Sequence, residues 1–201
     1  MDSSITRASS GRWCHCPPRT APSSASSTHT VTATVGGYYT GSTSATVTVA
    51  VSDGGFLTGD GHAVVSRSAG AYPADPASKV EVELTAKPAT VKKAASGEAE
   101  IEFRSGGKTY KVKASTVDGL GVTSAGKAAE VRYRASLYDS KGEVLVSGLT
   151  LAVMVTDGGS PGRNDTVGVT LWQGGVLLFS SDWTGAGTGE VKLTGGNLTV
   201  H

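Results

Sequence analysis

The chain has 201 residues, of which 28 are glycine, 38% are hydrophobic, 6% are aromatic and 17% are charged, with a formal net charge of +1. That length holds one large β domain or two small ones around a real core. Near-neutral charge argues against nucleic acid or an anionic membrane surface as the main partner, since both select for a basic excess, and no apolar run approaches the roughly 20 residues of a helical bilayer span.

Residues 1–29 are rich in serine, carry Pro17, Pro18 and Pro22, and show no apolar periodicity. Such a segment buries too little surface to offset its ordering entropy, so a disordered tail is predicted. It lacks the apolar core of a signal peptide. Cys14, His15 and Cys16 form its one thiol cluster, while His29, His62 and His201 are scattered. A structural zinc site takes four ligands, usually as two pairs, so the thiols read as incidental.

From Thr30 the texture turns to alternation with period two. Val31, Ala33 and Val35 share one face, and Ala45, Val47, Val49 and Val51 share the next. This predicts a hairpin over 30–51 with its connection at 36–42. Two strands alone are not a stable unit, so the hairpin either docks on the later strands or ends a domain whose start is missing. The stretch 52–62 then reads as turn, with Asp53, Asp60 and His62 set among Gly54, Gly55, Gly59 and Gly61 rather than gathered for a metal.

Strand signals then repeat. Over 79–87, Val80, Val82, Leu84 and Ala86 alternate with Glu81, Glu83 and Thr85, and over 98–104, Ala99, Ile101 and Phe103 alternate with Glu98, Glu100 and Glu102. A Gly106-Gly107 turn leads into 108–114, where Lys111 and Lys113 face outward, so an acidic strand is predicted beside a basic one. Further strands are predicted over 130–138, 144–155, 166–172 and 176–179, with two short ones over 190–193 and 197–200. No segment shows a capped 3.6-residue period. The predicted fold is all-β, an antiparallel sandwich or barrel over 52–201.

Two groups of residues carry chemistry. In the loop 157–165, Asp157, Asn164 and Asp165 offer oxygen atoms of the kind calcium takes, although the spacing lacks the alternation and closing glutamate of an EF-hand, and a plain structural loop is the favoured reading. Trp172 falls on the strand face opposite Val167, Val169 and Leu171. Core is its favoured placement; exposed, it and Trp183 would form an aromatic platform of the kind that stacks on sugar rings. The run 185–189 is no phosphate loop, because no Lys-Ser/Thr and no helix follow it. There is no Gly-x-Ser-x-Gly elbow, and Glu81, Glu83, Glu98, Glu100 and Glu102 alternate like a solvated face. The fifteen Ser and Thr residues between 20 and 50 fit an extracellular β module.

HTVTATVGGYYTGSTSATVTV (29–49) resembles the last hairpin of the bacterial immunoglobulin-like repeats found in large secreted and surface proteins. VTDGGSPGRNDTVGVTLWQGGVLLF (155–179), with the ending TGGNLTVH (194–201), is similar to the C-terminal all-β domain that often follows them. The middle, 80–150, matches in strand rhythm more than in identity, and Val167 and Gly168 stand where family members more often carry an aromatic or basic pair.

The resemblance implies a tail at 1–29, the terminal hairpin of one immunoglobulin-like repeat at 30–51 and an all-β domain at 52–201. Residues 1–28 would then be a wrongly assigned start, a frameshift product or a truncation. It further implies a non-enzymatic structural or adhesion module, secreted or on the cell surface, serving as spacer or C-terminal cap of a larger exported protein. Its partners would be other repeats of the same parent chain and a cell-surface or polysaccharide ligand, without nucleic acid, a membrane span or a cofactor beyond the calcium alternative. No catalytic residues carry over. The reading from a different class is a carbohydrate-binding module appended to an extracellular hydrolase.

Overall fold

Glycine turns and β-branched alternation produce strands throughout the computed structural model, which describes residues 27–35, 41–49, 55–90, 92–123 and 127–201, the first two for their backbone. No helix occurs among the described residues. The chain divides between Asp53 and Gly54 into two units.

In the first unit, β1 (Ser27–Val35) pairs antiparallel with β2 (Gly41–Val49), in a register running from Ser27↔Val49 to Val35↔Gly41. The hairpin is the predicted one, with both strands starting earlier. β1 starts at Ser27, three residues before the predicted start, and β2 at Gly41, two before. The remainder of the predicted tail, with Cys14, His15 and Cys16, lies outside the described residues.

The second unit holds β3 (Leu57–Val65), β4 (Ser78–Lys87), β5 (Ser96–Ser105), β6 (Lys108–Val122), β7 (Ala128–Tyr138), β8 (Val144–Thr156), β9 (Thr166–Gln173), β10 (Val176–Ser180), β11 (Val191–Lys192) and β12 (Gly195–Val200). β3 to β10 form an antiparallel meander in chain order; β12 adds to the far side of β3 and β11 to β9. The sheet then closes on itself. Ala69 bridges Ser180, and the N–H groups of Ala71 and Tyr72 donate to the carbonyls of Leu177 (3.1 Å) and Leu178 (2.8 Å). At the other end, β11 on β9 and β12 on β3 span the remaining gap. Closure removes the free edges that would otherwise invite pairing with another chain.

The inward positions are the predicted ones. β4 buries Val80, Val82, Leu84 and Ala86; β7 buries Val131, Tyr133, Ala135 and Leu137; β8 buries Leu149, Leu151, Val153 and Val155. They pack with the other buried apolar residues as one cluster. Among the described residues Tyr133 is the largest fully buried side chain, and its hydroxyl donates to the Thr85 carbonyl of β4 at 2.8 Å. Burial pushes its phenol pKa well above the usual value of 10.0.

Two segments depart from the sequence reading. Residues 57–62, read as part of a turn, belong to the strand β3. Its glycines mark a close crossing and not a bend: a side chain on Gly59 would collide with Asn197 and Leu198 of β12, and one on Gly61 with Leu193 and the Gly195 carbonyl. Glycine in a strand has this second meaning, a place where another backbone comes close. β6 runs on to Val122, well beyond 114. Bulges between Ala114 and Thr116 and between Val117 and Gly119 shift its phase, so Val112 and Ala114 face inward first, then Val117 and Val122. A bulge hides a strand from a period-two search by resetting the count.

Candidate functional site

Asp157, Asn164 and Asp165 are brought to one loop, where both carboxylates bind backbone. Asp165 is fully buried; its Oδ1 accepts the Gly158 N–H at 2.9 Å and its Oδ2 the Leu198 N–H at 2.9 Å. Asp157 accepts from Gly159 N–H (2.7 Å) and Val200 N–H (3.1 Å). Asn164 Oδ1 accepts from Lys192 Nζ at 3.1 Å. The loop is thereby pinned to β12 through two carboxylates, each oxygen of which holds an amide. Among the described residues, no group of three or more His, Cys, Asp or Glu side chains is placed to hold a metal ion.

The outer face of β4, β5 and β6 carries the predicted acidic and basic neighbours. Glu100 stands opposite Lys113 and Glu102 opposite Lys111. Lys111 Nζ reaches both Glu100 and Glu102 at 2.9 Å, and Lys113 lies 3.4 Å from Glu100. The hydrogen bond from Lys111 holds the Glu100 carboxyl below its usual range, against a smaller opposing effect of burial. The same carboxylates, Glu102 first, raise the Lys111 ammonium. A depression of about 760 Å³ on this face is bordered by Glu83, Glu100, Lys113, Arg134 and Tyr138. Glu100 is paired there with Lys113, and Arg134 with Asp118.

Trp172 and Trp183 also come together, and here the structure corrects the favoured placement. Trp172 is not in the core: it lies half-buried on the outer face of β9, edge-to-face with half-buried Trp183 at 6.3 Å between ring centroids and 67° between planes. Val167, Val169 and Leu171 take the inward positions of β9 and leave Trp172 outside, and the segment after β10 accounts for its half burial. Residues 182–189 fold down over β9, with Trp183 bridging Thr188, and the Thr184 N–H and hydroxyl both donating to the Gly187 carbonyl. Thr188 is tied below by hydroxyl contacts to Thr170 (2.8 Å) and Ser180 (2.7 Å). Gly168 makes room, since a side chain there would press on Met154 and the Gly189 carbonyl.

The base of this segment is fixed by Asp182, whose two oxygens accept from Arg67 Nε and Nη2, both at 2.7 Å. The Arg67 carbonyl in turn accepts the Trp183 N–H at 2.7 Å.

Beside the tryptophans runs a groove of about 370 Å³, floored by Ala152, Met154 and Thr170 and bordered by Glu130. The meander assembles it by register: Glu130 faces Met154, Arg132 faces Ala152 and then Thr170, and Arg134 faces Thr150 and then Trp172. Sequence reading found the two aromatic residues but missed the floor and the charged wall. All are outward positions on consecutive strands, and a meander laid out from the strand alternation would have shown them as neighbours. Arg67 and Asp182, 115 residues apart, have no such local signal.

No protein-family model matches this chain, and the searches of curated proteins and of solved structures return no significant match.

Proposed function

We propose that this chain is a non-enzymatic structural or adhesion module, the end of an immunoglobulin-like repeat followed by a C-terminal cap domain of a larger exported bacterial protein. The observation that carries the reading is how the second unit uses its polar groups. Its interior is packed with one apolar cluster, and its buried carboxylates are spent on holding the fold: Asp165 on two backbone amides and Asp182 on Arg67. A closed barrel pinned in this way gives a protease little exposed strand edge to open. The serine- and threonine-rich hairpin and the resemblance of 29–49 and 155–201 to bacterial surface repeats support the exported setting.

Surface labelling of intact source cells, with analysis of the culture supernatant, tests it. The chain, or a longer protein containing it, is expected in the labelled or secreted fraction. Confinement to the cytosol would overturn the exported setting, and turnover in a broad hydrolase screen would overturn the non-enzymatic one.

A further inference from the structure

We propose that the groove between the Trp172–Trp183 pair and Glu130, whose carboxylate Arg132 holds, binds a neutral pyranose ring of a polysaccharide. This goes beyond a structural role, since a spacer has no use for such a groove, and the structural reading survives if sugar binding fails.

Three observations select the ligand chemistry. The first is that one side of the groove is aromatic and its floor is small and apolar, with Ala152 and Met154 beside Thr170. The proton of the floor's hydroxyl is already committed, because Thr170 Oγ1 donates to Thr188. This side accepts the C–H face of a ring and offers little to a polar group.

The second is that the opposite side is bordered by Glu130, whose charge is balanced by Arg132, two residues along the same strand. Arg132 Nε and Nη2 donate to Glu130 Oε1 at 3.1 and 3.0 Å, and both side chains keep half or more of their exposure (63% and 50%). A charged ligand would have to compete with this pair. A purely apolar one would cover it and remove water from both groups without replacing the hydrogen bonds. A neutral ring with an apolar face and hydroxyls at its edge satisfies both sides at once.

The third is that the aromatic side is held in place before any ligand arrives. Trp183 sits in the short turn closed by Thr184 and Gly187, anchored by Thr188 and by the Arg67–Asp182 pair. A site whose geometry is fixed loses less entropy on binding. Its volume, about 370 Å³, is at the small end of ligand sites, which suits one or two sugar rings of a chain.

The test is tryptophan-fluorescence titration of the full chain with cellohexaose, chitohexaose, mannohexaose and xylohexaose, with an oligogalacturonate and an apolar tripeptide as the competing chemistries. Saturable binding of at least one neutral hexasaccharide is expected, weakened about tenfold or more by Trp172→Ala and by Trp183→Ala with the thermal transition retained. Ala152→Phe fills the floor while sparing both tryptophans, so it is expected to abolish binding even if a tryptophan variant folds poorly. Failure of all four hexasaccharides to bind, binding unchanged in Ala152→Phe, or saturation by the oligogalacturonate or tripeptide alone would overturn the proposal.

Discussion

Phe103 on β5 stacks on Phe179 on β10 with ring centroids 4.1 Å apart and 18° between the planes, although β6, β7, β8 and β9 lie between their strands in the sheet. Two residues so far apart in a flat sheet meet only because the sheet closes. Replacing either with Ala is expected to cost about 3–5 kcal/mol by leaving a cavity in the core. A double-mutant cycle in urea should return a coupling of about 0.5–1.5 kcal/mol for the stacked pair. Additive losses would show that the two rings do not support each other.

The Asp165 carboxylate holds the 157–165 loop to β12 through the N–H groups of Gly158 and Leu198. Asp165→Ala leaves both amides without that partner in a fully buried place and is expected to cost about 2–3 kcal/mol. Because the oxygens of Asp157 and Asp165 already hold amides, millimolar calcium is expected to leave the melting temperature unchanged. A rise of several degrees on adding calcium, reversed by a chelator, would instead show that the loop rearranges to bind it.

Arg67 and Asp182 anchor the segment that carries Trp183. The partners differ in exposure, with the Asp182 side chain 9% and that of Arg67 65% accessible. Removing the guanidinium alone leaves a nearly buried carboxylate uncompensated, whereas removing both does not. Arg67→Ala is therefore expected to lower the melting temperature more than Arg67→Ala with Asp182→Ala together. An equal or larger loss in the double variant would mean that Asp182 stabilises the turn without Arg67.

Two ionisable groups set opposite ends of the pH profile. Tyr133 has a raised pKa in the folded chain, so its contribution is complete below the ordinary value of 10.0 and is lost as pH rises beyond it. Glu100 has a lowered pKa, so its contribution is present above the ordinary value of 4.5 and is lost as pH falls through the folded value. Denaturant titrations across pH should show Tyr133→Phe less stable by about 1 kcal/mol at pH 7, from the lost hydrogen bond to Thr85, with the gap to the parent narrowing above pH 10. Glu100→Gln should flatten the acid side below pH 4.5. Parallel profiles for parent and variants would remove these groups as the cause.

Local alternation alone was enough to settle the class of the fold and the facing of most of its strands. A run such as Val80-Glu81-Val82-Glu83-Leu84 fixes which side chains are buried, because a strand turns successive residues to opposite faces. It also foretold an acidic strand beside a basic one, since a two-glycine turn joins them; the pairing of Glu100 with Lys113 is that arrangement in detail.

Features that depend on contacts between distant segments emerged only once the chain was folded. The glycines of β3 read as turn residues until β12 is seen crossing them, and the far half of β6 is hidden by two bulges. Trp172 reads as core until the inward packing of Val167, Val169 and Leu171 leaves it on an outer face half covered by residues 182–189. The groove joins residues 130, 152, 170 and 183, and its fixed end joins 67 to 182. Periodicity carries information over a few residues at a time. Closure of the sheet is a choice among long-range pairings, made by the packing of Phe103 on Phe179 and the bonding of residues 69–72 to β10.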